Sequence, residues 1–171
     1  RRAKEAYELA ADVDYHVGIS ASLRIMAMAQ MDLGDIDAAG NSLTRALSFA
    51  EASVGVDIVA TRFLCGRLAL RMGDPEGCML HLDAGLKAAS LGDPESYAPL
   101  LSATYGRAAV MAGDEDTGRT LLESSRASLD DVAVPRMTQT LVVLALGWQA
   151  VKETDRALVF ARDAASMAGS R

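Results

Sequence analysis

Six residues have the types and spacings from which an active or metal site could be built. Four are aspartates directly following a glycine, Asp35, Asp74, Asp93 and Asp114, and two are Cys78 and His81, three apart. An aspartate on a glycine turn could serve as a metal ligand, a phosphate-loop element or a catalytic carboxylate. A calcium loop needs several oxygen ligands at alternating positions, and "GDPEGCM" or "GDEDTGR" offers too few. A phosphate loop needs a glycine-rich segment ending in Gly-Lys-Ser/Thr after a strand, and the chain has neither. On one helix, Cys78 and His81 could present two metal ligands, with Cys65 as a third. Cys78, however, occupies a register held elsewhere by Ala39 and Gly118, so packing accounts for it without a metal. The only other histidine, His16, stands alone near a helix start as a surface or capping residue. No Ser-His-Asp or Cys-His set supports nucleophilic catalysis. The expectation is a protein that is not an enzyme, with no catalytic residue, no metal and no cofactor.

Helix chemistry gives Gly-Asp a different role. Glycine ends a helix by taking a left-handed conformation at little steric cost, and aspartate caps the next helix by accepting its exposed N–H groups. Pro75 then falls at the first helical position, where a missing N–H costs nothing, and Glu76 suits the positive helix end. Gly-Asp therefore reads as a bend between two helices.

The bends recur at a fixed period. Asp35, Asp74 and Asp114 are 39 and 40 residues apart, and Asp155 in "KETDRA" follows 41 later. After each bend comes a second pattern: Ala39, Leu43, Ala46; Cys78, Leu82, Gly85; Gly118, Leu122, Ser125; Ala157, Ala161, Ala164. The spacing of four and then three places each triplet on one helical stripe. Twelve residues before each triplet stands another small residue, Ala27, Gly66, Gly106 or Ala145. Small residues at a constant distance across a tight bend imply antiparallel helices touching at those points. First helices are expected at 17–33, 56–72, 95–112 and 136–152, and second helices at 36–53, 75–91, 115–129 and 155–168. Such hairpins bury their faces only by stacking on neighbours, which predicts an all-α solenoid of about four and a half repeats. The hairpins span 17–54, 56–92, 94–131 and 135–169, and the stretch "LDDVAVPR" between the last two is the least helical. Residues 1–13 carry the second-helix stripe as Ala3, Tyr7 and Ala10, without a first helix before it. With the chain beginning at Arg1, the expectation is a single repeat domain cut from a larger protein.

The constellation of a small residue, a small residue twelve on, a large apolar one four on and a small one three on resembles the tetratricopeptide repeat. The resemblance covers nearly the whole chain and implies a right-handed superhelix. The departures are definite. The usual aromatic four before the first small position is Leu23, Arg62, Ser102 or Leu141, and the period of about 40 exceeds the typical 34. Long, Ala-rich repeats of this type look like those in the sensory halves of large bacterial transcription activators.

Composition sets further bounds. Half of the 171 residues are apolar and only 5% aromatic, with Ala the commonest, which favours closely packed helices over strands. With 17 basic and 23 acidic residues the formal charge is −6, which argues against direct nucleic-acid binding. Cys65 and Cys78 fit no disulfide framework and read as reduced core thiols of a cytoplasmic protein. The longest strongly apolar run, "LVVLALGW", falls short of the roughly 18 to 20 residues of a membrane span, so no membrane partner is expected.

In the tetratricopeptide arrangement the residue after the first small position, and those three and four further on, line the concave surface. The resemblance places Met28, Met31 and Asp32 there, then Arg67, Leu70 and Arg71, then Arg107, Val110 and Met111, then Leu146, Gln149 and Ala150. The site three before the small position adds Arg24, Phe63, Ala103 and Val142. The candidate groove is Arg24, Met28, Phe63, Arg67, Arg71, Arg107 and Met111. Its guanidinium groups suit an acidic peptide or protein segment, or a small anionic effector, through charge-assisted bonds, with Met and Phe as an adaptable floor. A competing reading puts Arg67, Arg71 and Arg107 near helix C-termini only for the dipole. The expected function is a protein-binding or ligand-sensing regulatory module, with a small-molecule sensor or self-association with a second copy as alternatives.

Overall fold

The bends dictated by Gly-Asp chemistry organise the chain. The computed structural model describes residues 2–51, 56–92, 96–129, 132 and 134–169. Among these residues there are nine helices and no strand: α1 (Arg2–Asp12), α2 (His16–Leu33), α3 (Ile36–Glu51), α4 (Val56–Arg71), α5 (Pro75–Ala89), α6 (Ala98–Met111), α7 (Glu115–Ala127), α8 (Val134–Ala150) and α9 (Thr154–Gly169). The expected hairpin ends at 54, 94 and 131 lie outside the described residues, as does Asp93 of the second "GDPE". So do Asp130, Asp131 and Ala133 of the least helical stretch. None of the described helices is long and apolar enough to cross a membrane.

Three bends have one geometry. Gly34, Gly73 and Gly113 take φ of 80°, 75° and 93°. The following aspartates accept from the backbone N–H three residues on: Asp35 from Ala38 at 3.2 Å, Asp74 from Gly77 at 2.8 Å and Asp114 from Thr117 at 3.1 Å. Each aspartate's own N–H donates back to the ending helix, to the carbonyls of Gln30, Ala69 and Ala109, all at 2.9 Å. This paired closure satisfies carbonyls that the helix end leaves open.

The fourth bend corrects the expected register. It turns at Lys152 and Glu153, whereas the period aligns Asp155 with the capping aspartates. Lys152 takes the left-handed conformation at φ 67°, and the Glu153 N–H donates to the Trp148 carbonyl at 2.9 Å, as the aspartates do in the other bends. Asp155 lies one residue inside α9. The Gly-Asp pattern is absent here because backbone geometry is kept while both residues change.

Consecutive helices pack on one another throughout, forming a helical-repeat solenoid. The small positions bring hairpin partners together. A Cβ on Gly106 would lie 2.9 Å from the Gly118 carbonyl oxygen, and one on Gly66 would lie 3.0 Å from the Leu82 Cδ2. The stripes Ala39–Leu43–Ala46 and Cys78–Leu82–Gly85 are buried, as is Gly118–Leu122–Ser125. In α9 the expected Ala161 is exposed and Phe160 is buried in its place. The hairpins share a polar detail as well. Ser20 Oγ reaches the Ala46 carbonyl at 3.4 Å, and Ser125 Oγ reaches the Pro99 carbonyl at 2.7 Å, linking equivalent positions with donor and acceptor exchanged.

The first helices α2, α4, α6 and α8 touch in succession, whereas α3, α5, α7 and α9 do not touch one another. An array whose first helices are closer together bends with them on its inner side. The junction before the last hairpin is unlike the others. There α8 packs broadly on α6 and only slightly on α7. Gly147 allows α8 its approach to Leu122, since a Cβ there would lie 2.5 Å from Leu122 Cδ2.

Candidate ligand cavity

Gly66 and Gly106 are pressed against the second helices of their hairpins, so the residue after each is turned about 100° away, toward the inner side of the array. Those residues are Arg67 and Arg107. Both line an open cavity of about 830 Å³ together with Phe63, Leu70 and Arg71 of α4. From α8 come Gln139, Val142, Val143 and Leu146, and from α6 also Leu100 and Thr104. Asp32, at the end of α2, is the only carboxylate among the described lining residues.

The arginines differ in what they already hold. Arg71 is exposed and donates from Nη1 to the Met31 carbonyl at 2.5 Å. Arg67 is partly buried, with its guanidinium 5.8 Å from the centre of the Phe63 ring. Burial pushes Arg67 below its ordinary pKa; Asp32 pulls it back up and Arg71 pushes it further down. Burial likewise lowers Arg107, with the Cys78 thiol acting weakly in the other direction. Among the described residues neither Arg67 nor Arg107 makes a hydrogen bond or ion pair. Two guanidinium groups in the lining are thus partly desolvated without a hydrogen-bonded or ion-paired anion among the described residues, an arrangement that costs free energy until an anion supplies the missing contact.

Four of the seven candidate residues, Phe63, Arg67, Arg71 and Arg107, meet at this cavity. The other three do not line it. Arg24 is held by Asp57, with Nη2 donating to Oδ1 at 2.7 Å, and this largely buried pair ties α2 to α4. Met28 and Met111 are 39% and 45% exposed and lie outside the lining. Of the further concave positions, Asp32, Leu70, Val142 and Leu146 do line it. Sequence reasoning missed Leu100, Thr104, Pro135, Thr138, Gln139, Val143 and Ala168. Leu100 and Gln139 both stand six residues before the small position of their helices, so extending the inner stripe by one turn would have found them. Ala168 comes from α9, a second helix, and no stripe on the first helices points to it.

The remaining chemical candidates go elsewhere. Cys65 and Cys78 are both buried free thiols, and burial pushes them up to about 11 and about 12, far from the thiolate form that metals and electrophiles require. His81 turns to Arg62, with Nδ1 3.4 Å from Nη1, and burial and then Arg62 lower its pKa. No cluster of three or more metal-ligating side chains occurs among the described residues. His16 is exposed, with Nε2 3.0 Å from Asp14 Oδ1 and its ring 5.4 Å from that of Phe49. No family model matches this chain, and no curated protein matches it.

Proposed function

We propose that this chain is a non-catalytic ligand-binding module whose inner cavity captures an anionic ligand through Arg67 and Arg107. The observation that carries the reading is the pair of partly buried guanidinium groups, on adjacent first helices, with no ion pair among the described residues. The rest of the lining supplies hydrogen-bonding and apolar groups, which recognise a ligand rather than transform it. An acidic segment of a peptide or protein fits the open inner face of a helical array. A small anionic effector is the second reading. It is favoured by the size of the cavity, about 830 Å³, which lies within the range of small-molecule sites, roughly 300 to 1,000 Å³. The resemblance to tetratricopeptide-type sensory domains assigns the module to the regulatory part of a bacterial-type transcriptional or signalling regulator, working in the cytoplasm.

Charge reversal tests the capture. Fluorescence anisotropy with a labelled peptide of alternating Glu and Leu, and one of alternating Lys and Leu, is expected to show that the wild type prefers the acidic peptide. The double variant Arg67→Glu and Arg107→Glu should reverse that order. A variant of unchanged helicity that keeps the wild-type preference would remove these arginines from the site.

A further inference from the structure

The cavity lining combines cationic and apolar side chains. Arg67 and Arg71 on α4 and Arg107 on α6 form its cationic wall, with Asp32 as the only opposing charge among the described lining residues. The α8 wall presents Val142 and Leu146, which are 45% and 38% exposed although both are apolar. Phe63 and Leu100 lie in the same lining. A carboxylate-rich segment would satisfy the first wall and leave the second wet. A purely apolar ligand would do the reverse, and would leave two guanidinium groups partly desolvated without a partner.

Taking the cavity as a ligand site, as in the preceding reading, we infer that its occupant is a small amphiphile with a single anionic head. The head, a carboxylate or phosphate monoester, sits between Arg67 and Arg107. The aliphatic or aromatic tail lies over Val142 and Leu146. Guanidinium groups are suited to both heads because each presents paired oxygens to a planar fork of donors. The tail takes exposed apolar surface out of water, which is the non-directional part of the affinity.

The position of the head also has a mechanical consequence. Among consecutive first helices, α4 and α6 touch each other least. One anion bound by an arginine from each bridges that seam. Ligand binding therefore ties the second hairpin to the third, and slower amide hydrogen exchange in α4 and α6 reports the tie.

Isothermal titration calorimetry with decanoate and decyl phosphate, both below their micelle-forming concentrations, tests the inference against decyltrimethylammonium and acetate. Decanoate or decyl phosphate is expected to bind at one site, with the cation of the same tail and the tailless anion at least about tenfold weaker, a difference of about 1.4 kcal/mol. Arg107→Gln and Val142→Asp should each weaken binding by about tenfold or more, the first by removing the charge and the second by wetting the tail wall. Both side chains are outside the fully buried core, and circular dichroism checks that each variant stays helical; Arg67→Gln is the second probe of the head. Equal binding of the cation, or wild-type affinity for decanoate in both Arg107→Gln and Val142→Asp, overturns the inference. If both anionic amphiphiles fail while the Glu-Leu peptide still binds, the amphiphile falls and the anion-capturing cavity stands. If the peptide fails too, both fall.

Discussion

At the scale of single residues, backbone conformation and charge pairing matter more than residue type. Lys152 occupies the place that glycine holds in the other three bends, with a positive φ and an exposed side chain. An L side chain in that conformation carries a steric cost that glycine does not. Lys152→Gly is expected to stabilise the fold by about 1 kcal/mol, read as a higher midpoint in urea unfolding with unchanged slope. A lower midpoint would mean that the lysine makes a contribution the backbone does not explain. Residue identity also misled at Arg24. Its sequence position equals that of Phe63 three before the small residue, yet Asp57, in the first turn of the next first helix, holds its guanidinium. Nothing local to Arg24 announces Asp57, 33 residues away.

At the scale of the helices, the small positions decide how closely hairpin partners approach. Glycine inside a helix costs about 1 kcal/mol relative to alanine, so an interior glycine that touches nothing is a defect and one against a backbone is a fitting. Gly40 is of the first kind, since a Cβ there would meet only Leu68 Cδ2 at 3.8 Å. Gly106 is of the second, with the Gly118 carbonyl oxygen 2.9 Å from the position of a Cβ and Leu121 Cβ at 3.1 Å. Gly40→Ala is therefore expected to raise thermal stability, and Gly106→Ala to lower it by roughly 1–3 kcal/mol through overpacking between α6 and α7. Equal signs for the two would show that helix propensity, not interhelical fit, governs these sites. The periodic stripes were legible because i, i+4 and i+7 share a face in any helix. The exception is α9. Among the described residues it packs broadly only on α8, and one neighbour selects Phe160 where the pattern had pointed to Ala161.

At the scale of the whole molecule, the core is divided. Leu23 belongs to a cluster with Ala10, Ile19 and Ala46 at one end, and Leu144 to a cluster with Leu122, Trp148 and Phe160 at the other. A larger cluster built on α4 and α5 lies between. Repeat arrays held by neighbour contacts need not unfold as one unit. The chain's one tryptophan, Trp148, reports the last hairpin, whereas far-UV circular dichroism averages all of them. Leu144→Ala and Leu23→Ala each delete a side chain with no exposed surface and are expected to cost about 2–5 kcal/mol locally. Leu144→Ala should lower the fluorescence midpoint more than the dichroism midpoint, and Leu23→Ala should do the opposite. Coincident shifts of both probes in both variants would establish a single cooperative unit.

The positions of three bends and the helical periodicity were set by the sequence alone, because caps, left-handed glycines and the 3.6-residue turn act within a few residues of chain. Tertiary structure decided which arginines are already paired, that α8 leans on α6 rather than α7, and that Val142 and Leu146 line one cavity with Arg67 and Arg107. Those outcomes depend on where side chains tens of residues apart come to rest. Each depends on the summed packing of several helices, which no local pattern encodes.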